Sequence, residues 1–143
     1  MMKKNIVITF SVFLLLIFQA TFVFAEQFVS EGYDENTEIS IKGSVAEIVY
    51  PERRGSVVIR VALGGRVYNI ATAPQWYLTK NAIAFQVGEN LEIRGSKYLS
   101  RDGIRYLIAR QIKNVTTGNI INFRDPRCKP LWHNNHMRSR GLW

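Results

Sequence analysis

Arginine recurs beside tyrosine through the middle of the chain: Arg53, Arg54, Arg60, Arg66, Arg101 and Arg105, with Tyr50, Tyr68 and Tyr106 close by in sequence. A guanidinium presents a planar fork of donors to phosphate or carboxylate oxygens, and an aromatic ring offers a stacking face. Together they suit an anionic ligand: single-stranded nucleic acid, an acidic glycan or an acidic protein surface. The plainer alternative is a solvated basic face with the tyrosines filling core or rim. The candidate ligand-binding set is Arg53, Arg54, Arg60, Arg66, Tyr68, Arg101 and Arg105.

A second constellation lies near the C-terminus. Cys128, His133, His136 and Met137 are soft or borderline ligands that could hold copper or another soft metal. Their spacing fits no established site, and a polar tail with incidental histidines explains it as well. Trp76, Tyr77 and Trp132 could form an aromatic platform for a ligand, but bulky rings also seal small barrels. No residues are spaced as a nucleophile with its base. Glu47, Glu52, Glu89, Glu92 and Asp102 are scattered over turns and outward faces, not paired for acid–base work. The absence of Cys-x-x-Cys-His removes covalent haem of the usual kind. The expectation is a non-catalytic protein without a cofactor.

The elements that must position these residues read as strands. Gly88-Glu89-Asn90-Leu91-Glu92-Ile93-Arg94-Gly95 is a turn launching a strand, with Leu91 and Ile93 on one face and Glu92 and Arg94 on the other. Similar alternation runs over Glu38–Tyr50, Ser56–Leu63 and Ile104–Ile112; Arg66–Ala71 also reads as a strand, with Val67 and Tyr68 both candidates for its inward face. Within the first run the apolar parity switches near Ala46 or Glu47, which predicts a β-bulge, and Gly43 permits a bend. Gly64-Gly65 and Asp102-Gly103 supply hairpin turns. Pro74 is placed in the first turn of a short helix over Gln75–Lys80, with Trp76 or Leu78 plugging the barrel. The predicted core contains Ile41, Val45, Val57, Ile59, Val61, Leu91, Ile93 and Leu107. A short sixth strand over Ile120–Phe123 is expected outside the barrel.

The chain of 143 residues is long enough for one modest domain. Residues 1–25 read as a secretory signal peptide: Lys3 and Lys4, an apolar run from Ile6 to Phe24, then Val23-Phe24-Ala25 before polar Glu26. An uncleaved membrane anchor is the rival reading. Either way the rest of the chain is expected in the periplasm or outside the cell. Cleavage would remove Lys3 and Lys4 and no acid, lowering the formal net charge from +8 to +6. Residues 26–37 read as a flexible linker, 38–124 as the barrel and 125–143 as a basic tail. Cys128 is the single cysteine, so no disulfide can form within the chain.

The order of three strands, a short helix and two strands resembles the OB-fold, a five-stranded Greek-key barrel in an all-β class. Residues 38–132 further resemble small exported bacterial OB-fold proteins. The likeness rests on the Gly88–Gly95 turn and strand, on Pro74-Gln75-Trp76-Tyr77-Leu78, and on Phe123-Arg124-Asp125 with Pro130-Leu131-Trp132. One branch of such proteins ends in Leu-Arg-Asp-x-x-Gly-x-Pro-x-Trp. Here Lys129 is taken to stand where glycine is usual, with Cys128 an intrusion. The resemblance implies architecture and compartment and assigns no activity. Two functions follow as expectations. One is a binding module for an anionic ligand or an envelope protein partner; the compartment disfavours nucleic acid, and membrane contact is expected only through an uncleaved N-terminal segment. The other is a subunit of an envelope assembly that docks through Trp132, Leu142 and Trp143.

Overall fold

The computed structural model describes residues 32–133. The expected signal segment 1–25, residues 26–31 of the expected linker, and His136, Met137, Leu142 and Trp143 lie outside the described residues.

Strand β1 (Glu38–Val49) is long enough to serve two partners. Its first half pairs antiparallel with β4 (Asn90–Leu99), from Glu38 opposite Ser96 to Ser44 opposite Asn90. Its second half pairs antiparallel with β2 (Ser56–Leu63). Between these halves the register shifts: Val45 faces Val61 and Glu47 faces Arg60, leaving Ala46 as the extra residue. This is the predicted bulge, and it turns Ile48 back toward the core. Strand β3 (Arg66–Pro74) returns from β2 through Gly64-Gly65. It then meets β5 (Arg105–Asn114) in parallel, with Asn69 opposite Tyr106 and Ala71 opposite Ile108. Because β5 also pairs with β4, the sheet closes into a five-stranded OB-fold barrel. Helix α1 (Gln75–Lys80) lies between β3 and β4, and β6 (Ile120–Asn122) extends the sheet beyond β5.

Closure forces backbones together at two glycines. A Cβ on Gly43 would lie 2.5 Å from the Ala62 carbonyl oxygen, and one on Gly95 the same distance from that of Ile108. No side chain fits at either place.

All eight predicted core residues are buried, joined by Ile70, Ala73, Tyr77, Leu78, Ala109, Ile112, Phe123 and Trp132. Several expectations need correction. Strand β3 runs to Pro74 rather than Ala71. Ala71, Thr72 and Ala73 are all buried, so the alternation that marks a strand is missing there. The Thr72 hydroxyl donates to the Val57 carbonyl at 2.7 Å, which makes its burial tolerable. Pro74 caps the helix with extended geometry and does not sit in its first turn. Of the two candidate plugs, Leu78 is buried in the core, as is Tyr77 beside it, whereas Trp76 is 43% exposed. Residues 32–37 are not a free linker but lie against the barrel, where the Asp34 N–H donates to the Ser96 hydroxyl at 2.9 Å.

Residues 125–132 of the expected tail fold back on the barrel. Asp125 accepts from the N–H groups of Arg127 and Lys129 at 2.8 and 2.9 Å, closing a tight loop. The Leu131 N–H then donates to the Phe123 carbonyl at 3.0 Å. This return lays Trp132 on Tyr77, with ring centroids 5.7 Å apart. Trp132 is 4% exposed and is spent on the chain's own core, not presented to a partner.

Ile59 is fully buried near the middle of β2. Ile59→Asp should leave the chain unfolded in circular dichroism and thermal melts. An unpaired buried carboxylate costs several kcal/mol, on the order of the whole stability of a small domain. A cooperative melt near the wild-type temperature would contradict this core.

Candidate functional site

The candidate ligand-binding residues do not form one cluster. Ser56 at the start of β2 faces Pro74 at the end of β3, so the loop carrying Arg53 and Arg54 lies at the helix end of the barrel. Arg66 opens β3 and Arg105 opens β5, and the parallel pairing of these strands sets both at the opposite end. Arg101 lies in the β4–β5 turn at that same end. The length of β2 separates the two groups by on the order of 20 Å, at about 3.3 Å per residue.

Arg60 and Tyr68 do not share a face. Arg60 is opposite Asn69, while Tyr68 is opposite buried Val61 and packs against the core. Arg60 is exposed but paired with Glu47 at 2.6 Å. The register continues this outer row from Arg60 through Asn69 and Tyr106 to Tyr98. The rings beside the basic strand are therefore Tyr98 and Tyr106. Tyr98 was not singled out in the sequence because only closure of β5 on β3 brings its strand near Arg60.

At the hairpin end Arg66, Arg101 and Arg105 are all exposed. None is in an ion pair among the described residues. The acid nearest in sequence is Asp102, engaged by the Ser100 hydroxyl, whose hydrogen bond holds the carboxyl below its usual range. The same end exposes Leu63, Val67, Leu99 and Ile104.

A different cluster, which sequence spacing did not reveal, ties both ends of the described chain to the barrel. Glu38 accepts from Tyr33, from Arg94 and, at 3.0 Å, from Arg110. Burial opposes its charge, but these hydrogen bonds outweigh burial and hold the carboxyl below its ordinary value. Burial, then the bond to Glu38, raises the Tyr33 phenol. Arg124 is buried, stacks 4.9 Å from the Tyr33 ring centroid and 5.9 Å from that of Trp132, and donates to the Cys128 carbonyl at 2.8 Å. Burial lowers its pKa to about 10, which leaves it charged at neutral pH.

Cys128 donates its thiol to Glu35 at 2.7 Å. Burial, reinforced by that bond, pushes the thiol up to about 11, so it is neither a ready nucleophile nor a ready soft ligand. Among the described residues no group of three or more His, Cys, Asp or Glu side chains could hold a metal ion. Cys128 adopts φ +63°, a left-handed conformation that favours glycine. Counted from Arg124 and Asp125, the Arg-Asp-x-x-Gly-x-Pro-x-Trp spacing puts its glycine at Cys128 and not at Lys129. Cys128 is thus a substitution at the turn, not an insertion.

Glu38→Gln keeps the shape and removes the charge. It should destabilise the domain by about 2–3 kcal/mol in urea unfolding at pH 7, the range for hydrogen bonds to a charged group. Because the folded carboxyl has a lowered pKa, its contribution is complete above the unfolded value of about 4.3 and is lost as pH falls through the folded one. The gap between wild type and variant should therefore narrow below about pH 4. A gap independent of pH would contradict the ionic account.

Comparison with known proteins adds a family. No curated protein matches the chain. A crystal structure of the S. pombe Stn1-ten1 complex is similar at 21% identity over 73% of this chain and 72% of that chain, with a TM-score of 0.42, a likeness too loose to bear on function. Residues 37–117, which take in β1 to β5 and more than half of the chain, match the MamS/MamX magnetosome protein family, and the chain belongs to that family.

Proposed function

We propose that this protein is a non-catalytic binding module, exported from the cytoplasm, that serves a magnetosome by holding an anionic partner at the hairpin end of its barrel. The observation that carries the reading is the grouping of Arg66, Arg101 and Arg105 at one end, exposed and without ion pairs among the described residues. A guanidinium already committed, such as Arg60 to Glu47, has less to offer a ligand. The family description supports the place of action, and the positive start and apolar run of residues 3–24 support export. The non-catalytic reading is supported by how the most perturbed groups are used. Tyr33, Glu38, Arg124 and Cys128 are spent on holding chain segments to the barrel.

Fluorescence titration of the full chain with polyphosphate tests the reading. Binding should be present at low salt and weaken steeply as salt screens the arginines. Combined Arg66→Ala, Arg101→Ala and Arg105→Ala should weaken it by about tenfold or more, taking roughly 0.5–1 kcal/mol per exposed charge contact. Combined Arg53→Ala and Arg54→Ala should leave it within about twofold, since that loop is at the other end. No binding at low salt, or the reverse ranking of the two variants, would defeat the proposal.

A further inference from the structure

The hairpin end carries more than charge. Leu63 closes β2, Val67 follows the β2–β3 turn, Leu99 closes β4 and Ile104 precedes β5. Their exposures are 38%, 59%, 64% and 40%. Each lies within a few residues of a hairpin tip. The parallel β3–β5 pairing puts the two hairpins side by side, about 4.8 Å apart where those strands join. Helix α1 covers the opposite end with Tyr77 and Leu78.

Apolar exposure alone does not single out this end. Tyr50, Val87 and Val115 are exposed near the other one. There, however, Arg53 and Arg54 share the surface with Glu52 and Glu89. The hairpin end instead sets its apolar tips among Arg66, Arg101 and Arg105, with Asp102 as the one acid in its two turns.

We infer that this end is a membrane-contact surface, seating its two hairpin tips on a bilayer that contains anionic lipid. The inference rests on the anion-binding reading above and names its partner. The exposed apolar side chains sit at or next to hairpin turns, so they suit a partner that yields to them. In a bilayer an anionic headgroup layer overlies an apolar interior, which matches guanidinium groups beside short apolar tips. Such a contact needs no membrane-spanning segment, and no helix among the described residues is long and apolar enough to cross a membrane.

Vesicle sedimentation of the full chain tests it, with one-third phosphatidylglycerol in phosphatidylcholine, with phosphatidylcholine alone, and with polyphosphate as a soluble competitor and separate ligand. Val67→Ser with Leu99→Ser changes two well-exposed side chains, so folding should be unaffected, which circular dichroism checks. The apolar stretch from Ile6 to Phe24 is common to every variant, so differences between variants report the tips. Expected are preferential binding to anionic vesicles and a loss of at least about tenfold in the serine variant. Polyphosphate affinity should meanwhile stay within about threefold. If the serine variant binds anionic vesicles as well as wild type, while the arginine-to-alanine variant loses both ligands, the anion reading stands and the membrane inference falls. If neither vesicles nor polyphosphate bind, both fall. Equal binding to neutral and anionic vesicles in all variants would assign membrane contact to the N-terminal stretch and overturn the inference. Serine substitutions that spare vesicle binding but abolish a protein contact would overturn it in favour of a protein partner.

Discussion

Closure of the barrel depends on a short parallel contact, Asn69 to Ala71 of β3 against Tyr106 to Ile108 of β5. Parallel pairing is slightly weaker per residue than antiparallel, so the contact needs support from what lies beneath it. Ile70 and Leu107 face each other there and are buried in the common core. On the other side Ala71 and Ile108 are buried as well, and the Asn69 amide donates to the Arg105 carbonyl at 3.2 Å. This one seam decides the arrangement of the surface. It brings the β2–β3 and β4–β5 hairpins side by side at the end away from α1 and the Arg53–Arg54 loop.

Most of the fold could be read from the sequence because its elements are half-buried strands with clear alternation. Val57, Ile59 and Val61 against Val58, Arg60 and Ala62 is such a case, and so is Leu91 and Ile93 against Glu92 and Arg94. The bulge at Ala46 was legible because it reverses that alternation. Where alternation fails, so does the reading. Ala71 to Ala73 are buried on both faces, and small residues carry no periodic signal there. The candidate site was legible as residue types and not as a constellation. The sequence brings Arg53, Arg60 and Arg66 close together, but a strand carries them to different ends and faces. Which hairpins are neighbours is a property of the seam, and no local pattern encodes it.

The cluster around Glu38 shows a second limit. Tyr33 and Glu38 are near in sequence, but Arg94, Arg110 and Arg124 come from three later segments. Read singly, each arginine is an ordinary surface charge. Together they hold residues 33–38 and 124–132 against the sheet, which explains why apparently loose polar segments are folded. The Asp125 loop completes the arrangement, and its left-handed residue is Cys128. A non-glycine residue there carries a backbone cost of about 1 kcal/mol. The bond from its thiol to Glu35 offsets part of that cost and links the two segments directly.

Sealed at one end by α1, Tyr77 and Trp132, the barrel offers its arginines and apolar tips at the other. The central claim is that the anionic partner is met at that end. Hydrogen–deuterium exchange of the full chain, with and without anionic vesicles, maps the contact without any substitution. The account predicts new protection confined to residues 63–67 and 99–105, with the 51–55 loop and the segments around Glu38 unchanged. Protection centred on residues 51–55, or on the outer row of Arg60 and Tyr106, would contradict it.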